Sequence, residues 1–131
     1  ILFQLVVIMI VMDVVFGSLR AAKERSFNSS VGIDGGIRKI GMLISLVCLV
    51  FVDILCPVNL VGFLPETLRE YIHMQDITVM EFFALLYIVY EVLSVLKNMT
   101  LSGLPVRRVW ITVKGFLRKN TGEFIEIEDK E

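Results

Sequence analysis

A single histidine, His73, stands in a chain of 131 residues, so a His-ligated metal site or a Ser-His-Asp triad has almost no raw material. Cysteine is nearly as scarce. Cys48 and Cys56 lie eight residues apart, inside and at the edge of an apolar run, which is neither a zinc spacing nor a disulfide framework. An excess of one charge is missing too. Thirteen Lys and Arg oppose 14 Asp and Glu for a net charge of −1, and nothing global points to nucleic acid. The glycines between Gly32 and Gly36 lack the preceding strand and the Gly-Lys-Ser/Thr ending of a phosphate loop. No cofactor or metal is expected.

What the chain has in abundance is apolar side chain. Hydrophobic residues make up 56%, against about 45–50% in an ordinary soluble domain, and the mean hydropathy is +0.76. That excludes disorder, and the length allows a single domain over 1–131. The apolar residues fall into three blocks, at about 1–19, 40–56 and 77–96. A bilayer core of about 30 Å needs roughly 20 residues of helix. A soluble helix of this length needs a polar face at a period of 3.6, and runs such as LVCLVFV and LLYIVY offer none. The sequence therefore predicts an all-α membrane protein with three transmembrane helices. The chain begins at Ile rather than Met, so residues are expected to precede Ile1. A secretory signal is not expected, because no basic stretch precedes the first block and no small-residue cleavage site follows it.

Charge sets the expected orientation. Segment 20–39 carries five basic residues, segment 57–76 carries Arg69 alone, and the tail from Lys97 carries seven. Loops rich in Lys and Arg stay in the cytoplasm. Both basic segments then agree on an outside N-terminus, a cytoplasmic loop 20–39, an external loop 57–76 and a cytoplasmic or interfacial tail 97–131. His73 falls in the external loop as a solvated or interfacial residue. Gly32 and Gly36 match a small-xxx-small spacing, but outside the apolar run they read as turn glycines.

Four carboxylates interrupt the apolar blocks: Asp13, Asp53, Glu81 and Glu91. An ionisable group in a spanning helix costs a few kcal/mol or more unless it faces a partner or water. Chain direction puts Asp13 and Glu91 toward the cytoplasmic ends of their helices, and Asp53 and Glu81 toward the outer ends. No basic residue lies inside a block, so salt bridges in mid-membrane within one chain are not expected. The carboxylates must be neutralised on burial, reach interfacial Arg20, Arg38, Lys39 or Lys97, or line water. For Asp53 and Glu81 a solvated place at the headgroup boundary is an equal alternative. Three helices enclose little water alone, so a water-lined site implies a homo-oligomer, with Asp13, Asp53, Glu81, Glu91 and Ser94 as its candidate lumen residues.

After the break at Ser102-Gly103-Leu104-Pro105, residues 106–119 place Val106, Val109, Trp110, Val113, Phe116 and Leu117 on one helical face. Arg107, Arg108, Lys114, Arg118 and Lys119 occupy the rest. A basic amphipathic helix of this kind lies on anionic headgroups; the alternation VRRVWITV leaves a short strand open. With Arg20, Arg38, Lys39 and Lys97, these residues are the candidate membrane-surface cations. The final stretch, GEFIEIEDKE, is acidic and reads as a charged, solvated tail.

The order of these parts resembles the phage lysis and toxin-secretion holin family of Gram-positive bacteria and their phages. An Asp and a Gly close the first block (Asp13, Gly17). A Ser-x-Gly-x-x-x-Gly-x-Arg-Lys loop follows (Ser30, Gly32, Gly36, Arg38, Lys39), then an Asp near the end of helix two (Asp53). Helix three carries Glu-x-x-Ser-x-x-x-Asn (Glu91, Ser94, Asn98), followed by Gly-x-Pro (Gly103, Pro105) and a basic tail. Lys97 and Arg107 depart from the family pattern, in which an acidic residue and a second proline are usual. The resemblance implies a protein of the bacterial cytoplasmic membrane that assembles with itself and opens holes. A cell-wall-degrading enzyme or a large toxin leaves through them without being specifically bound. Two alternatives use the same residues: a narrow ion or proton channel with the carboxylates as relay groups, or a membrane anchor or regulatory subunit whose basic tail docks a larger assembly. Neither an internal repeat nor a broken helix favours a carrier.

Overall fold

The computed structural model of the chain describes residues 1–26, 29–72 and 76–121. His73 and the acidic stretch from Gly122 lie outside the described residues. Among these residues every regular element is helical: α1 (Leu2–Glu24), α2 (Ser29–Leu55), a 3-10 turn (Leu60–Phe63), α3 (Glu66–Ile72), α4 (Val79–Leu101) and α5 (Arg107–Thr121).

α1 and α4 each run 23 residues, about 35 Å at 1.5 Å per residue, enough to cross a bilayer core. Both are apolar enough to do so, yet only 11% and 17% of their apolar stretches are buried. The core helix of a soluble protein would be mostly covered. Here the greasy surface points outward, with Ile8, Val11, Val14, Phe82, Leu86 and Val89 all exposed. Among the described residues these two helices, and not the expected three, are long and apolar enough to cross a membrane; the block expected as a further span lies in the C-terminal part of α2. α2 begins at Ser29, eleven residues ahead of the apolar block, and takes Asp34, Arg38 and Lys39 into the helix. Most of the expected loop 20–39 is therefore helix, and Gly32 and Gly36 are helical rather than turn residues.

The packing is sparse and well defined. Val6 and Ile10 of α1, Leu46 of α2 and Ala84 of α4 form the buried core. Leu2, Phe3, Leu43, Met80, Tyr87 and Ile88 close around it. The small Ala84 lets the neighbouring helices approach α4. Leu2, Phe3 and Met80 lie at one end of the bundle, while Lys23 reaches Leu101 at the other, so α1 and α4 run parallel. α2 runs antiparallel to α4: Lys39 meets Glu91, Ser45 meets Tyr87 at 2.8 Å, and Asp53 meets Val79 and Met80.

The connection between α2 and α4 is itself folded. The Asn59 side chain accepts hydrogen bonds from Val61 and Ile77 N–H and donates to Asp76, and Leu60 N–H donates to the Ile77 carbonyl. Arg69, the lone basic residue of the segment, donates to the carbonyls of Val61 and Gly62 at 3.0 and 2.8 Å, tying α3 back onto the turn. Beyond α4, residues 107–121 form helix α5 rather than a strand, with Trp110 buried and Val109 and Phe116 exposed.

Candidate functional site

The four carboxylates separate into two arrangements. Asp13 and Glu91 lie close to the midpoints of α1 and α4. They were expected nearer the cytoplasmic ends, but both helices continue past their apolar blocks, to Glu24 and Leu101. The two side chains converge on Lys39 of α2. Its Nζ lies 2.7 Å from Asp13 Oδ2 and 2.6 Å from Glu91 Oε2. All three residues are buried, Glu91 completely.

This arrangement corrects two expectations. A salt bridge does form within one chain in mid-bundle, and Lys39 is an interior residue rather than a surface cation. The physical reason is the early start of α2. With helix already formed ahead of Ile40, Lys39 is carried onto the face turned toward α1 and α4, and its long stem brings the ammonium between the two carboxylates. Two of the other cations considered as partners go elsewhere. Arg20 pairs with Glu24 one turn on, at 3.0 Å, and the Arg38 guanidinium lies over the Tyr90 ring, 5.5 Å from its centroid.

Asn98 completes the layer. Its Nδ2 donates to Asp13 Oδ1 at 2.9 Å, and the same nitrogen lies 3.5 Å from where a Cβ on Gly17 would stand. Asp13 is thus held through both oxygens. Glu91 is not: its Oε1 is buried without a hydrogen-bond partner, and leaving a buried acceptor unmet costs about 1–3 kcal/mol. Ser94 is partly buried and makes no side-chain hydrogen bond among the described residues. Asn98 was not a candidate site residue from sequence, although it belongs to the Glu-x-x-Ser-x-x-x-Asn pattern. Asp13 and Gly17, Lys39, and Glu91 and Asn98, scattered along the chain, come together in one cluster, which Arg38 does not join.

Asp53 and Glu81 work on the backbone instead. The first N–H groups of a helix have no partner inside it, and α4 meets this need twice over. Asp53 accepts from Val79 and Met80 N–H at 3.1 and 3.0 Å. Thr78 and Glu81 form a reciprocal capping box, each side chain accepting from the other's backbone N–H, at 3.2 and 3.1 Å. Two carboxylates at the positive end of the helix dipole add a favourable field. At the opposite end, Lys23 Nζ lies 3.4 Å from the Leu101 carbonyl, and Gly103 turns the chain with φ +90°. The φ favours glycine, and a Cβ there would sit 2.7 Å from Lys23 Nζ and push the end of that side chain aside.

Among the described residues no group of three or more His, Cys, Asp or Glu could hold a metal ion. Cys48 and Cys56 are free thiols, both exposed.

Comparison with known proteins gives one family. The sequence model of the bacteriophage holin family matches residues 1–115. The chain is 45% identical over 106 residues to the holin-like protein TcdE of Clostridioides difficile, covering 81% of this chain and 64% of that protein. It thus spans a little under two thirds of the relative's length. No solved structure matches.

Proposed function

Because the chain belongs to the bacteriophage holin family, we propose that it assembles with copies of itself in the bacterial cytoplasmic membrane and opens holes. A cell-wall-degrading enzyme or a large toxin leaves through them, no reaction is catalysed, and the cargo is not specifically bound. The chain crosses the membrane three times, through α1, the apolar part of α2, and α4, with the N-terminus outside. The parallel course of α1 and α4, packed on each other, with α2 against α4 in the opposite sense, supports this path, and so does the clustering of Lys and Arg in segment 20–39 and the tail.

The observation that carries the reading is the buried Asp13–Lys39–Glu91 layer inside an outward-facing apolar bundle. A single chain in lipid keeps these charges off the hydrocarbon by pairing them. In an assembly the layer faces a shared aqueous lumen, where water supplies the donor that Glu91 Oε1 lacks. Asp13→Asn and Glu91→Gln should therefore shift the onset of lysis or the oligomer distribution without reducing membrane insertion. Leu85→Ile should do neither. α5 lies on anionic headgroups through Arg107, Arg108, Lys114, Arg118 and Lys119, at about 1 kcal/mol per basic residue near the surface. Replacing all five by Gln should change the lysis time.

Inducible expression with timed leakage of markers of increasing size tests the function. Passage of a folded protein is expected; conductance limited to ions would replace the hole with a narrow channel, and an intact membrane would leave an anchoring role. Orientation is tested with an impermeant thiol reagent on intact cells, which should label Cys56 and spare Cys48. Labelling of Ser29→Cys under the same conditions would reverse the topology.

A further inference from the structure

Among the described side chains of α2 only Lys39 and Leu46 are buried. The exposed side carries Ile33, Ile37, Ile40, Ile44, Val47 and Phe51, spaced alternately by four and three residues. Any exposed face of a straight helix repeats at that interval; the content of this one sets it apart. Five of the six side chains are β-branched, and so are stiff and lose little freedom when packed. Beside them lie Gly41 and Cys48, one heptad apart and both exposed.

The chain's own packing gives no reason for these small residues. A Cβ built on Gly41 meets nothing within 4 Å, and the same holds for Gly32, Gly35 and Gly36. Glycine inside a helix costs about 1 kcal/mol relative to alanine, yet α2 contains four. Gly17 of α1 shows the contrast, with the Asn98 side chain lying against it. The same face of α2 also has an unmet charge. Asp34 is exposed and has no hydrogen bond or ion pair among the described residues, and Arg38 is exposed one turn further on.

We propose that this face seats α2 of a second copy of the chain, the two helices parallel and in register. Small residues let helix backbones approach closely in lipid, where apolar side chains alone give no reason to associate. Gly41 then meets Gly41 and Cys48 meets Cys48. Asp34 of each copy lies about 6 Å along the axis from Arg38 of the other, within reach of an arginine side chain. Two cross-chain pairs so form at the cytoplasmic end of the seam. A lipid-covered face would use neither the glycines nor the unpaired carboxylate. The proposal rests on the self-assembling reading above and adds the surface through which assembly begins.

The test uses the full chain in membranes with Cys56→Ser, leaving Cys48 as the single thiol. Oxidation with copper phenanthroline should yield a Cys48-linked dimer. Ile8→Cys on the outer face of α1, in a background with both native cysteines replaced by Ser, should give far less. A Cβ at Gly41 meets nothing within 4 Å in its own chain, and Gly41→Leu should slow Cys48 crosslinking by about tenfold and delay lysis. If Cys48 crosslinks no faster than the Ile8→Cys control, or Gly41→Leu changes neither readout, lipid covers the face and the seam is wrong. Lysis without the crosslink overturns the seam and leaves the hole-forming reading standing. The crosslink without leakage of any marker keeps the seam and overturns the hole.

Discussion

Asp13 and Glu91 in the middle of the bundle meet a lysine, whereas Asp53 and Glu81 at the head of α4 meet backbone N–H groups. The four residues are chemically alike and all interrupt apolar runs, but they solve different problems. At a helix end the unmet groups belong to the backbone, so one carboxylate satisfies two donors and gains from the dipole with no opposite charge nearby. In mid-helix every backbone group is already paired. A carboxylate there must bring its own partner or lose its solvation uncompensated. A lysine shared between two helices is a solution that ties three elements together.

Removing Lys39 should separate the two regions most sharply. Lys39→Met keeps the stem but leaves two carboxylates facing each other in an apolar interior. Breaking a buried charge arrangement by deleting one partner costs about 3–5 kcal/mol. The expected result is a large loss of thermal stability in detergent, recovered in great part when Asp13→Leu and Glu91→Met are added. Failure of the triple variant to recover would mean that the layer contributes shape rather than compensated charge.

The ends should be cheaper. Asp53→Ala removes both acceptors for Val79 and Met80 N–H but leaves the Thr78–Glu81 box in place. Loss of an N-terminal capping side chain costs about 1–2 kcal/mol. Hydrogen exchange should accelerate in the first turn of α4 and leave the amides around Glu91 unchanged. Acceleration spreading to mid-helix would erase the distinction between the two regions.

The sequence disclosed the parts of this architecture that depend on local pattern. Apolar runs without a polar face marked α1 and α4, and the Ser-Gly-Leu-Pro break marked the boundary before α5. It disclosed less where helix formation is sustained by tertiary contact. The start of α2 is rich in Gly, Ser and Asp, all weak in helix interiors, so 29–39 read as loop and Lys39 as interfacial. The charged layer was hidden for the same reason. Lys39 and Glu91 are 52 residues apart, and Asp13 and Asn98 are 85 apart; neither pairing has a local signature. Asp53 was misleading in a further way, since its partners are backbone amides, and no residue type announces those.

The smallest effects belong to the two left-handed positions at helix C-termini, and they should carry opposite signs. Gly103, φ +90°, follows α4, and Arg25, φ +50°, follows α1. Gly103→Ala forces a Cβ into the left-handed region and onto Lys23 Nζ, which must release the Leu101 carbonyl. A cost of about 1–2 kcal/mol is expected. Arg25 already bears the left-handed penalty of about 1–2 kcal/mol, and its own N–H still donates to Ala21 and Ala22 carbonyls. Arg25→Gly relieves that strain while adding about 0.5–1 kcal/mol of unfolded-chain entropy. The net gain should be about 0.5 kcal/mol or slightly more, read as a small rise in the detergent melting temperature. A fall instead would show that the Arg25 side chain makes a contribution larger than its backbone strain. The α1 terminus would then belong with the charge-dependent middle of the bundle rather than with its backbone-dependent ends.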